Sequence, residues 1–213
     1  MGNEPSATAQ DLFKKFLEIE IHPFLKSKGF SRQGQTSFKW VGKNCEVVNF
    51  QANRYNTRED CKFTVNLGVF NRRIFQFETE YKPVPENPKE YDCHWRERLN
   101  SLLPDRPPEW WAINKDTQLS VLGYGIRSGL EVHALPVIDR YVTDEGLRDF
   151  WMDKGERIHL KALLQLAVLL AEIGPAGQMD RTLQACRKKM TGTSSDRFAG
   201  EYIARIEALR RKD

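Results

Sequence analysis

The sequence predicts an α+β fold: an antiparallel sheet of about five strands, an N-terminal helix on its apolar face, further helices, and a C-terminal extension of three helices. Three observations predict it. Within residues 45–71, Val48, Phe50 and Ala52 alternate with Asn49, Gln51 and Asn53, and Phe63, Val65, Leu67 and Val69 alternate with Thr64, Asn66 and Gly68; a period of two belongs to strands with two unlike faces. Leu12, Phe13, Phe16, Leu17, Ile21, Phe24 and Leu25 form one broad stripe at helical spacing. From residue 156 onward only helical stripes remain. The chain has 213 residues, 40% hydrophobic and 29% charged, which suits one globular domain with a helical appendix and excludes wholesale disorder. The expected division is an α+β domain over residues 8–150 and a helical extension over 151–213.

The first helix spans residues 8–28. Thr8 and Asp11 have the spacing of a capping box, with Asp in place of Glu. Pro23 lacks an N–H and is expected to kink or interrupt the last turn, and Gly29 supplies the stop. Strands follow at Thr36–Val41 and, after the turn Gly42-Lys43-Asn44, at Cys45–Asn53; the polar loop Arg54–Asp60 returns the chain as Cys61–Phe70. A pairing that sets Phe50 opposite Val65 and Val48 opposite Leu67 also sets Asn49 opposite Asn66 and Gln51 opposite Thr64. A slip of two residues keeps these faces together, whereas a slip of one exchanges them. Phe50 and Val65 are therefore expected to be buried under the N-terminal helix.

Tyr81–Pro88 holds three prolines and reads as a loop, and Cys93–Leu99 and Trp110–Ile113 read as strands. Leu119, Leu122, Ile126, Leu130, His133, Val137 and Tyr141 mark a helix, although Gly123, Gly125 and Gly129 each cost about 1 kcal/mol against alanine there. Pro136 is expected to divide it in two. Thr143-Asp144 caps a short helix, and helices over 156–173, 177–190 and 195–211 complete the chain.

Residues 1–11 lack the basic start and apolar core of a signal peptide, and the apolar run Leu160–Ile173 is shorter than the roughly 20 residues of a membrane span. A soluble cytoplasmic protein with no membrane partner is the expectation. Cys45, Cys61, Cys93 and Cys186 contain no C-x-x-C pair and read as reduced, buried, small hydrophobes. Cys93 and His94 are adjacent, and neighbouring strand residues diverge, so neither a metal site nor a nucleophile pair is expected, and no cofactor is implied. The formal net charge of +4 arises entirely from residues 156–213, including Arg187-Lys188-Lys189 and Arg210-Arg211-Lys212. Both clusters lie at helix ends, where cations favour the negative end of the helix dipole.

The sequence has no G-x-S-x-G elbow, Walker loop, H-E-x-x-H or dinucleotide fingerprint. Glu80-Tyr81-Lys82 matches the second half of a nuclease motif, but Pro104-Asp105 follows it instead of preceding it. His22, His94, His133 and His159 are scattered, and no catalytic residue is assigned. The candidate binding residues are instead Asn49, Gln51, Thr64 and Asn66, a patch of uncharged donors and acceptors on one strand face. His94, Arg96 and Arg98 share one side of a further strand, and Trp111 or its neighbour Trp110 offers an apolar wall. Arginine forks suit carboxylate or phosphate. The alternative is the plain solvated side of a half-exposed antiparallel sheet.

The ordered segments "FLKSKGF", "FKW", "VVNFQ", "FTVNLGVF", "CHWRERL" and "WWAI" resemble one uncharacterised bacterial family, a domain of unknown function, over about residues 10–140. The resemblance implies an antiparallel sheet with packed helices and says nothing of an activity. Together these features favour a non-catalytic binding module for a protein partner or a small polar or anionic ligand. A hydrolase acting on an anionic substrate, and nucleic-acid binding through the basic C-terminal helices, are the alternatives; the basic excess is small for a nucleic-acid footprint.

Overall fold

The computed structural model of the chain describes residues 7–190, 192 and 194–209. They fall into two compact units, one of residues up to 70 with 86–139, the other of 71–85 with residues from 140 on. The first unit opens with α1 (Ala9–Phe16), a π-helical segment (Leu17–Ile21) and α2 (His22–Ser27). The capping box forms: Thr8 Oγ1 accepts from the Asp11 N–H at 3.2 Å, and the Asp11 carboxylate accepts from the Thr8 N–H at 3.2 Å. The interruption expected at Pro23 takes the form of the π segment just before it. The His22 N–H reaches back five residues to the Leu17 carbonyl, and this wider turn seats Pro23 in the first turn of α2, where no N–H is needed.

The chain continues through β1 (Ser31–Gln33), β2 (Thr36–Val41), β3 (Asn44–Ala52) and β4 (Cys61–Phe70), passes α3 (Arg72–Glu78) in the second unit, and returns with β5 (Trp95–Arg98), α4 (Leu99–Leu102) and β6 (Trp111–Ile113). Among the described residues the sheet has six strands, ordered β1-β2-β3-β4-β5, with β6 also on β4 and every pairing antiparallel. The strand beyond the five expected is β1, three exposed residues with no alternation to betray them. The β3–β4 register is the one predicted: Phe50 faces Val65, Val48 faces Leu67, Asn49 faces Asn66 and Gln51 faces Thr64. Along the other edge of β4, β5 pairs from Asn66–Arg98 to Val69–Trp95, and β6 from Cys61–Ile113 to Phe63–Trp111. Leu99 does not extend β5 as expected but opens α4, within the excursion that separates the two short strands.

One sheet face is the core. Phe63 lies 5.0 Å from Phe13 and 5.6 Å from Phe16 by ring centroid, and Phe50 is 6.2 Å away. Phe50 is 1% exposed and Val65 fully buried, as predicted. A second helix passes from α5 (Leu119–Gly129) through another π segment (Leu130–Ala134) into α6 (Leu135–Tyr141), with the Leu135 N–H bonded to the Leu130 carbonyl. Pro136 is thus accommodated as Pro23 is, by a wide turn immediately before it. Gly123 permits a close approach: a Cβ there would lie 2.8 Å from Glu20 Cβ. Arg127 fastens the contact by donating to the Glu20 carbonyl at 3.2 Å and pairing with the Glu20 carboxylate.

The core face carries a fully buried acid that the apolar alternation did not foretell. Glu46 lies opposite Val69 and Lys39 and is fully buried. Lys39 Nζ sits 2.8 Å from Glu46 Oε2 and 3.2 Å from Asp139 Oδ1, while Glu46 Oε1 has no hydrogen-bond partner among the described residues. One ammonium therefore serves two carboxylates. Burial pushes the Glu46 carboxyl up to about 7; Lys39 opposes that rise and Asp139 adds to it. The Lys39 ammonium is raised despite its own burial, because both carboxylates hold its proton.

The second unit contains α3 together with α7 (Asp144–Lys154), α8 (Leu160–Ile173), α9 (Gln178–Lys189) and α10 (Ser194–Leu209). Every residue from Ala162 to Leu170 is buried, so α8 is its central helix. Buried Gln165 donates to Glu78 at 2.8 Å, Phe77 packs 4.9 Å from the Tyr202 ring, and Asn71 caps α3 by accepting from the Ile74 N–H at 3.0 Å. Arg187 pairs with Glu207 at 2.7 Å, and the Arg210-Arg211-Lys212 cluster lies outside the described residues. All four cysteines are free and buried. Among the described residues no helix is long and apolar enough to cross a membrane, and no group of three or more His, Cys, Asp or Glu is placed to hold a metal ion.

Two stability measurements test this core. Phe50→Ala should cost about 3–5 kcal/mol in urea unfolding; a loss below about 1 kcal/mol would place Phe50 at the surface. Glu46 takes up its proton in the folded state at a higher pH than its ordinary 4.5. Its contribution is therefore fully present below that value and is lost as pH rises through about 7. Unfolding free energy should fall by up to about 3 kcal/mol between about pH 5 and pH 8 on this account, and Glu46→Gln should flatten the slope. An unchanged slope would refute the assignment.

Candidate functional site

The face opposite the core is arranged in rows across the strands. Phe38, Val47, Gly68 and Arg96 stand in register, and so do Thr36, Asn49, Asn66 and Arg98; Gln51 and Thr64 come next. The two halves of the face differ. Segment 86–93 covers the apolar half, with Trp40 Nε1 donating to the Glu86 carbonyl at 3.1 Å. The Cys93 side chain rests on Gly68, where an added Cβ would fall 2.5 Å from Cys93 Sγ and 2.8 Å from its Cβ. Only glycine admits the cysteine there.

The other half is the amide row. Asn49 Nδ2 donates to Thr36 Oγ1 at 2.9 Å, and Asn66 Nδ2 donates to both Asn49 Oδ1 at 3.2 Å and Gln51 Oε1 at 2.8 Å. Asn66 spends both of its amide protons within the row, so the carbonyl ends of Asn49 and Gln51 are held inward. The groups left unused within the row are fixed by that choice: the Gln51 amino group, the second Asn49 proton and the Asn66 carbonyl oxygen. Burial varies from residue to residue: Thr64 is fully buried, Thr36 and Asn66 are 6% and 5% exposed, Asn49 is half-buried and Gln51 exposed. The buried Thr64 Oγ1 has no hydrogen-bond partner among the described residues. The face is thus neither plain solvated sheet nor fully covered.

Five of the eight sequence-predicted residues come together here: Asn49, Gln51, Thr64, Asn66 and Arg98. Arg96 stands one row away and is bound to Glu90, its Nε 2.6 Å from the carboxylate. His94 lies at the far end of the face, its ring 5.7 Å from Phe70. Trp111 requires a correction. It pairs with Phe63 and stacks on that ring at 6.0 Å, on the core face, because successive strand residues point to opposite sides. The indole near the row is Trp110, with the Arg98 guanidinium 5.9 Å from its ring.

Arg98 is also paired with Glu109, so the row's guanidinium already has its carboxylate. That pair closes the excursion that begins at α4, joining the last residue of β5 to the segment just before β6. The amide half is consequently close to neutral. Sequence reasoning missed Thr36 and Glu109, and offered Trp110 only as the alternative to Trp111. Thr36 was within reach of a register argument for β2 and β3; Glu109 carried no local signal, since the excursion alone brings it to Arg98.

Cysteine chemistry is suppressed on this face. Burial pushes the Cys45 thiol up to about 12 and holds Cys93 well above its ordinary value. The reactive form of a cysteine is the thiolate, and both side chains keep their protons at neutral pH.

The row makes a graded stability prediction. Asn66→Ala removes two hydrogen bonds at a nearly buried position and should cost about 1–3 kcal/mol. Gln51→Ala, at an exposed position, should stay within about 0.5 kcal/mol of wild type. Equal losses in urea unfolding would show that Asn66 is not the donor at the centre of the row.

No curated protein and no solved structure matches the chain. A family model does: residues 21–140 match a domain of unknown function, DUF4304. The matched segment contains all six strands and the whole amide row. The chain therefore belongs to the DUF4304 family.

Proposed function

We propose that the protein is a non-catalytic binding module of the bacterial cytoplasm whose amide row recognises a neutral polar group with adjacent carbonyl and N–H, as in a peptide amide. The observation that carries this reading is the double donation from Asn66 to Asn49 and Gln51. It orients three amides without help from the ligand, so the unused donors and acceptor are preorganised and little side-chain ordering is left to oppose binding. The ligand is neutral, because Arg96 and Arg98 are engaged by Glu90 and Glu109. Trp110, beside Arg98, supplies an aromatic surface at the end of the row.

The test uses the side-chain amide resonances of the intact protein, with N-acetylglycine amide as the neutral probe and acetate as its anionic counterpart. Selective, saturable shifts of the Asn49, Gln51 and Asn66 NH2 signals by the neutral probe, lost in Gln51→Ala, support the proposal. Equal shifts with acetate, or shifts that survive Gln51→Ala, would overturn it.

A further inference from the structure

A cleft of about 640 Å³ lies on the other side of β2, between the N-terminal helix and strands β1 and β2. Glu18, His22 and Lys26 line its helical wall at intervals of four residues, Arg32 and Ser37 come from the strands, and exposed Pro23 lends apolar surface above the nearly buried Leu25 and Phe30. The helical wall contains the π segment Leu17–Ile21. One added residue in a turn rotates the downstream residues by about 100° relative to an ordinary α-helix, and such turns recur at functional sites. Here the wide turn sets the angular position of His22 and Lys26.

The cations of the cleft outnumber its carboxylates. Arg32 Nη1 lies 2.6 Å from His22 Nδ1. A guanidinium has no lone pair to offer, so the imidazole accepts, is neutral and carries its proton on Nε2. Burial depresses the His22 pKa, Arg32 depresses it further, and Glu18 opposes both. Lys26 and Arg32 form no ion pair among the described residues, so two cations face the single carboxylate of Glu18. The charge excess of the walls is that of one cation, and part of the lining is apolar.

We propose that this cleft binds a small organic monocarboxylate with an apolar body, its carboxylate held by the Arg32 guanidinium and the Lys26 ammonium and its body against Pro23 and the edge of Phe30. A singly charged anion matches the excess of one cation, and a bare phosphate would leave the apolar surface unused. The carboxylate also gives His22 the counter-charge that Arg32 denies it. Binding and protonation of His22 are then linked reciprocally, so affinity rises as pH falls. Glu18 and Lys26 on the helix and Arg32 on β1 are the charged cleft groups that set this dependence.

Benzoate is the probe, with benzamide as its neutral counterpart, read by histidine ring NMR on the intact protein and with His22→Gln to assign the signal. The expected result is saturable benzoate binding that raises the His22 titration midpoint and tightens as pH falls from that raised midpoint towards the free one, which lies below the ordinary 6.5. Benzamide should bind wild type, and benzoate the Arg32→Gln variant, about tenfold more weakly. Arg32 is exposed, so the variant should retain the wild-type melting curve; Lys26→Gln provides a second variant if it does not. Absence of saturable binding, equal affinity for benzamide, undiminished binding in both folded variants, or equal affinity for inorganic phosphate would overturn the proposal. Gln51→Ala should leave benzoate binding unchanged, which separates this cleft from the amide row.

Discussion

Phe63 is the point on which the first unit converges. Its ring meets Phe13 and Phe16 from the helix, Phe50 from the neighbouring strand and Trp111 from the opposite edge. It can do so because β4 is paired along both edges and packed on its core face, and because a strand sends alternate residues to opposite sides. Once Phe63 points into the core, Thr64, Asn66 and Gly68 fall on the opposite side without further choice, where they carry the amide row and the seat of Cys93. A one-residue slip would bury the amides under the helix and expose the phenylalanines. The core and the candidate site are thus one constraint seen from two sides.

Much of that constraint was legible. The register of β3 and β4, the burial of Phe50 and Val65 and the grouping of Asn49, Gln51, Thr64 and Asn66 follow from alternation alone, which is a local property of the chain. The features that escaped were non-local. Alternation says which residues share a face but not what lies over it, so the cover supplied by segment 86–93 and the pairing of Arg98 with Glu109 could not be read from either partner. Trp111 was given to the wrong face because a Trp-Trp pair announces two opposite directions without saying which belongs to which residue, and only the pairing with Phe63 decides it.

The form of the interruption at the prolines escaped for a different reason. Pro23 and Pro136 are incompatible with an uninterrupted α-helix, and interruption is the usual outcome. Here each is preceded by a π segment in which the N–H of the first residue of the next α-helix bonds five residues back. The insertion preserves the helix and changes which residues face the sheet beyond it. The first of these segments also meets the second helix, where Gly123 yields room to Glu20 and Arg127 binds it. The three glycines that weakened the sequence argument for α5 therefore have unequal roles: Gly123 removes a clash with Glu20, whereas a Cβ at Gly125 would meet nothing.

Each face of the sheet includes buried polarity, and the two solutions differ in kind. On the core face Glu46 is fully buried and shares the Lys39 ammonium with Asp139, so its state of charge depends on pH near neutrality. In the amide row of the other face Thr36, Asn49, Gln51 and Asn66 bond one another sideways across the strands and have no proton to gain or lose in that range. Lateral bonding has a second consequence. Because Asn66 donates to two neighbours at once, reversing any one amide would set like groups against each other, so the row has one preferred orientation as a unit. A surface of this construction presents the same donors and acceptor while the charge within the core changes, and stability and recognition can respond to pH separately.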